Sequence, residues 1–158
     1  MADVLPGLDG TGAWEIPAQL NMAAQCLSHD PARRAIIDLT GDARRDVSFG
    51  TLSDMVDGLA RALAQRVQAG DRVGVLLGQS PWCAAAHLAI WKIGAISVPL
   101  LKLFKYDALA SRVRDAGVTL VLTDPEGRDL LGGLATPLMA DSVGVAGDPV
   151  AFADTGPD

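Results

Sequence analysis

Ser80 lies in Gly78-Gln79-Ser80-Pro81-Trp82, between a Val/Leu-rich run and an alanine-rich stretch. A strand-to-helix turn there could present a serine nucleophile for acyl transfer. That chemistry uses the pattern G-x-S-x-G, whose second glycine lets the helix pack close behind the serine, and here Trp82 takes its place. A serine followed by proline is instead a common helix start, because the hydroxyl caps free N–H groups and proline gives up nothing at the first helical position. The only available bases are His29 and His87, and no Ser-His-Asp set is evident. Cys83 and His87 stand four apart, which on a helix places them on one face and could make a thiol–imidazole dyad or half a metal site. Zinc needs three or four ligands. The neighbours Ala84, Ala85, Ala86, Leu88 and Ile90 describe a packed apolar helix, so a core cysteine beside a core histidine is expected.

Phosphate chemistry leaves a different trace. There is no GxGxxG, no GxxxxGK[ST] and no Gly-Lys dipeptide. The Val73–Leu77 run ends in Gly78 rather than in an aspartate that could accept a phosphoryl group, and Asp38 and Asp124 close strands with no constellation around them. What remains is Lys102, Lys105 and Tyr106 after Pro99, and Arg128 after Asp124. If the two preceding strands are adjacent and parallel, both segments open onto one sheet edge, where cationic side chains can hold a phosphate. Loop lysines are also commonly just solvated.

The elements that must position these groups follow from periodicity. Leu20, Ala23, Ala24 and Leu27 give a helix over 17–27, and Ala35–Leu39 with Asp46–Phe49 form a hairpin turning at Thr40-Gly41-Asp42. Ser48 caps a long helix carrying Leu52, Met55, Val56, Leu59 and Leu63. Beyond Gly70, the continuous apolar run 73–77 suits a strand covered on both faces. Trp82–Ile93 is a helix stopped by Gly94, Ala95–Pro99 a strand, Asp107–Ala116 a helix stopped by Gly117, and Val118–Thr123 a strand. Strand, helix, strand, helix, strand with right-handed crossovers is an α/β doubly wound unit: a mainly parallel sheet with helices on both faces, Rossmann- or flavodoxin-like, plus a small N-terminal hairpin. After Asp124 glycines and prolines dominate, leaving a short strand near Leu138 and a linker.

A chain of 158 residues with 49% hydrophobic and 20% charged residues fits one globular domain. Its net charge of -6 opposes nucleic-acid binding, which rests on Lys and Arg neutralising phosphates. No segment approaches the roughly 20 apolar residues of a membrane span, and Met1–Gly12 lacks the basic and apolar parts of a secretion signal. Two cysteines, Cys26 and Cys83, outside any CxxC pair suit a reducing cytoplasm as buried free thiols.

The run from Gly70 through Pro81 (GDRVGVLLGQSP), continuing through Ala89 to Leu100 (AIWKIGAISVPL), resembles the AMP-forming acyl-CoA synthetases of the adenylate-forming, AMP-binding superfamily. Phe104 with Asp107-Ala108-Leu109, then Arg112, Asp115 and Thr123-Asp124, continue the series, and Val47-Ser48-Phe49 through Leu52 resembles its start. The similarity covers roughly residues 20–130, and the Leu-Phe pair before Asp-Ala-Leu points to the short- and medium-chain acyl branch.

The resemblance implies an enzyme that joins a carboxylic or fatty acid to CoA, using ATP and Mg2+, through an acyl-adenylate with release of pyrophosphate. It implies that the phosphate loop, the ribose-binding aspartate and the C-terminal domain with its catalytic lysine come later than residue 158. The expected layout is a flexible leader over 1–13, the N-terminal α/β subdomain over 14–140 and a linker toward the ATP-binding loop over 141–158. No catalytic or metal-binding residue is expected in this stretch, nor any tightly bound cofactor, and alone it should not activate acids. Lys102 and Leu103 match the relatives' loop that helps hold the nucleotide end of CoA, and Arg128 approximately matches a basic residue after the Thr-Asp strand. Lys105 and Tyr106 depart from the Gly or Ser and Pro common there. Expected partners are the rest of the parent enzyme, a small carboxylic acid and CoA, with self-association through exposed apolar surface. The alternative is a stand-alone, non-catalytic binding module of the same fold.

Overall fold

The computed structural model describes residues 7–15 and 17–153. Residues 1–6 of the expected leader and 154–158 of the expected linker lie outside the described residues.

The chain begins with a two-residue ladder, β1 (Gly7–Leu8) against β2 (Trp14–Glu15), closed by the Asp9 carboxylate, which accepts from Thr11 and Ala13. Helix α1 (Met22–Leu27) is shorter than periodicity suggests. Asn21, extended at φ -129, caps it by accepting from the Ala23 and Ala24 N–H groups, so 17–20 stay outside the helix. Cys26 is exposed on α1, a correction to the expected buried thiol: six residues bury only Ala23 fully, and the opposite face meets solvent. The hairpin forms as β3 (Arg34–Asp38) and β4 (Arg45–Ser48), antiparallel with a register shift between Arg34 and Ile36.

Ser48 then caps α2 (Phe49–Ala64), whose stripe from Leu52 to Leu63 is buried. The remaining elements are β5 (Arg72–Leu76), α3 (Pro81–Lys92), β6 (Ile96–Pro99), α4 (Tyr106–Asp115), β7 (Leu120–Thr123), α5 (Pro125–Leu131), β8 (Thr136–Met139) and a 3-10 turn, Ala140–Ser142. Gly94 and Gly117, at φ 76 and 64, follow α3 and α4 in the left-handed conformation that ends helices.

The four strands β5 to β8 form one parallel sheet in the order β6-β5-β7-β8. The chain steps outward from β5 to β6, then returns over β5 to β7. Two right-handed crossovers in opposite directions place their helices on opposite faces. The core divides accordingly. Val73, Val75, Leu120 and Leu122 pack in one cluster with the apolar faces of α2 and α3, while Leu76 and Val121, on the alternate positions, pack with Leu109 and Val113 of α4 and Leu131 of α5. The doubly wound sheet is the one the crossover pattern predicts. Strands β6 and β7, however, are separated by β5, a correction to their expected adjacency that changes how the site must be built.

Candidate functional site

In a doubly wound sheet the crevice opens at the carboxyl ends of the strands where the winding reverses, here beside the ends of β5 and β7. At that point Thr123, wholly buried, donates from Oγ1 to the Leu76 carbonyl at 3.0 Å and ties the two strand ends together. Asp124 caps α5, its Oδ1 accepting from the Gly127 N–H at 2.9 Å, with Pro125 at the first helical position. Gly127 rests directly on the strand ends.

Lys102 reaches this crevice from the far side of β5. Its Nζ donates to Asp124 Oδ2 at 2.7 Å and to Glu126 Oε2 at 2.6 Å, so the loop after β6 is pinned across the end of β5 to the start of α5. The two strands that carry the expected cations are thus not neighbours; this ion pair brings their loops together. Arg128 is one helical position set further along α5 and pairs with its neighbour Asp129 at 3.1 Å. Leu103 on the same loop is 92% exposed, Tyr106, the first residue of α4, is about half exposed, and Lys105 lies at the N-cap of α4 without a side-chain cap bond. The loop therefore offers an exposed apolar residue and an ammonium paired with two carboxylates, while α5 carries the Arg128 guanidinium. Lys102 and Arg128 hold different partners, and the carboxylates around Lys102 are the feature that the positions of lysines in the sequence did not reveal.

Burial raises the Asp124 carboxyl, but the bonds from Lys102 and the Gly127 N–H outweigh it and hold the pKa below the ordinary aspartate value. Burial lowers Lys102, and its bonds to Asp124 and Glu126 more than restore it, leaving it above the ordinary lysine value. A depressed carboxyl contributes stability above its unfolded pKa and loses it as pH falls through the folded one; a raised ammonium contributes below its unfolded pKa and loses it as pH rises through the folded one. The bridge thus stabilises the loop across the neutral range and fails in acid when Asp124 protonates. In Lys102→Met the Asp124 titration midpoint, read by NMR, is expected to move upward; an unmoved midpoint would show that the bridge does not form in solution.

The other sequence candidates take structural roles. Ser80 Oγ accepts from the Cys83 N–H at 3.3 Å and bonds the Gly78 carbonyl, as an N-cap does. It borders a cleft of about 300 Å3 between the hairpin and α3, beside Asp38, Arg45 and Trp82. Asp38 is held low by Thr40 first and Arg45 second. His87 Nδ1 meets Ser97 Oγ of β6 at 2.6 Å. Both His87 and Cys83 are partly rather than fully buried, yet burial lowers the imidazole and raises the thiol, so both are neutral at pH 7 and form no thiolate–imidazolium pair. Among the described residues no three His, Cys, Asp or Glu side chains converge as metal ligands. Among them, too, no helix is long and apolar enough to cross a membrane.

The family described as AMP-binding enzyme matches residues 23–153. The acetyl-coenzyme A synthetase of Novosphingobium aromaticivorans is 38% identical over 136 residues, covering 81% of this chain and 21% of that protein. The chain spans about a fifth of the length of the acetyl-coenzyme A synthetases it matches. The structure of Brucella canis acyl-CoA synthetase aligns with a TM-score of 0.75 at 24% identity, over 90% of this chain and 30% of the other. ATP-bound MatB from Rhodopseudomonas palustris aligns at 0.73 and 24% identity, over 87% and 30%. At that identity these likenesses establish the fold.

Proposed function

The chain belongs to the AMP-binding enzyme family, and from that premise we propose that it is the N-terminal portion of an ATP-dependent, AMP-forming acyl-CoA synthetase. The observation that carries this is a match running through residues 23–153, nearly all of the described fold, together with relatives that are acetyl-coenzyme A synthetases. The whole protein joins a short carboxylic acid to AMP with release of pyrophosphate, then passes the acyl group to the thiol of CoA, with Mg2+ accompanying the nucleotide. The described residues contribute scaffold to that reaction rather than its reacting groups. Their partner is the remainder of the synthetase, and its place is the cytoplasm.

Within this reading the Lys102 loop and α5 face CoA. Arg128, whose guanidinium among the described residues meets only the adjacent Asp129, is the group able to turn toward a phosphate. Leu103 offers an exposed apolar surface on the loop after β6, and Lys102, already holding two carboxylates, fixes the loop from which Leu103 projects. A charge-assisted hydrogen bond is worth about 1.5–3 kcal/mol, and 1.4 kcal/mol is tenfold in binding. In the complete enzyme, Arg128→Ala and Lys102→Ala are each expected to raise the KM for CoA about tenfold while ATP–pyrophosphate exchange stays unchanged; an unaltered KM would remove the CoA assignment. The synthetase reading is tested by the coding sequence after Asp158. An in-frame phosphate loop and C-terminal domain support it, whereas a stop codon there supports a stand-alone binding module.

A further inference from the structure

Residues 144–153 form neither helix nor strand, yet their backbone is held along its length. Arg61 of α2 donates to four carbonyls: Asp148 at 2.8 Å, Ala146 at 2.9 Å, Val145 at 3.0 Å and Gly144 at 3.4 Å. The chain folds around that guanidinium. Gly147 sits at φ 132, and a Cβ there would lie 3.1 Å from Arg61 Cζ. Gly58, one turn before Arg61, lets the segment touch the helix, since a Cβ on it would stand 2.7 Å from the Gly144 carbonyl oxygen.

A second station lies further on. Asp57 Oδ1 accepts from the Val150 N–H at 2.8 Å and from Lys92 Nζ at 2.6 Å. The Ala153 N–H donates to the Lys92 carbonyl at 2.7 Å, and Asn21 Nδ2 donates to the Ala153 carbonyl at 2.9 Å. Phe152 lies over Lys92 Nζ at 4.3 Å. Asp57 and Arg61 are four apart on α2, so one helix face carries both stations. The hydrogen bonds grip the segment's backbone from α2, α3 and Asn21, and its own side chains add Val150 against the core and Phe152 against Lys92. The family match runs to Ala153, so the segment belongs to the shared fold.

A segment joined to its domain by a handful of polar contacts and by the packing of Val150 against the core, with no sheet ladder of its own, opens at lower free energy than the core it lies on. We propose that residues 144–153 are a strap that docks on and leaves the α2–α3 face as one cooperative unit while the sheet stays folded. Arg61 sets that equilibrium at one end, and the Asp57–Lys92 pair receives the strap at the other. Docked, Ala153 is tied to the end of α3; undocked, it is released and the Asp57–Lys92 pair is uncovered. The two stations are coupled through the strap, so loss of the first loosens the second.

Native-state hydrogen exchange on the 158-residue chain tests this, read at the Val150 and Ala153 amides. In Arg61→Ala, which touches neither amide, both are expected to exchange about tenfold faster and by the same factor, with amides inside β5 and β7 unchanged. Gly58→Ala keeps every charge and is expected to speed the same two amides by steric displacement. Unchanged rates at Val150 and Ala153 in Arg61→Ala would overturn the proposal, because the stations would then be independent. Equal acceleration of β5 and β7 would also overturn it, because the strap would then open only with the whole domain.

Discussion

Gly127→Ala is expected to lower the stability of this domain by about 2 kcal/mol or more, the largest effect of any single methyl group on the carboxyl edge of the sheet. A Cβ at position 127 would clash with Thr123 Oγ1 and stand 2.7 Å from the Leu76 carbonyl oxygen. Neither can move cheaply: Leu76 O is backbone of a central strand, and Thr123 is fully buried and hydrogen-bonded to that same oxygen. Overpacking of this kind costs about 1–3 kcal/mol or more, and the clash with backbone puts it at the upper end. Alanine returns about 1 kcal/mol through helix propensity, which leaves the net loss. For a chain of this size each kcal/mol moves Tm by about 2–4 °C, so a fall of about 4–8 °C should appear in thermal unfolding. Gly78→Ala is the control. It lies after β5 on the same edge with nothing within 4 Å of its added Cβ, and is expected to leave Tm nearly unchanged. If the two variants melt together, α5 does not sit on the strand ends as described.

The same position explains what the sequence did and did not disclose. Ser80-Pro81 announces α3, and Gly94 and Gly117 announce two helix ends, because each signal is local: one side chain or one positive φ acting on its own neighbours. Helix α5 carries the same kind of signal in Asp124-Pro125 and Gly132, the latter at φ 51. Seven residues show less than two turns of apolar periodicity, however, and the surrounding glycines read as loop. The candidate site was half legible. Lys102 and Arg128 could be picked out as cations after strands, with Leu103 added by the family resemblance, whereas the pairing of Lys102 with Asp124 and Glu126 spans 22 and 24 residues and depends on the loop crossing β5. The strap was least legible, since Asp57 meets Val150 across 93 positions and nothing in either neighbourhood records it.

Lys92→Met should cost the domain about 3–5 kcal/mol, the loss seen when one member of a buried ion pair is removed and the other stays. The Lys92 side chain is 3% exposed and that of Asp57 11%, with Nζ 2.6 Å from Oδ1. Methionine fills a similar volume and keeps contact with Phe152, so the cost falls on the Asp57 carboxylate, left with the Val150 N–H as its remaining hydrogen-bond donor. The double variant Asp57→Asn/Lys92→Met removes both charges and is expected to recover most of the loss in denaturant unfolding; a double variant as unstable as the sum of the singles would mean the two side chains act independently. The fall in stability is a large part of the 5–15 kcal/mol that a domain has, so in Lys92→Met amides of β5, β7 and the strap should all exchange faster together. In Arg61→Ala only the strap amides should. The contrast assigns the two ends of the strap different physics: a buried pair whose loss loosens the entire domain, and a guanidinium at the surface whose loss frees ten residues and leaves the sheet intact.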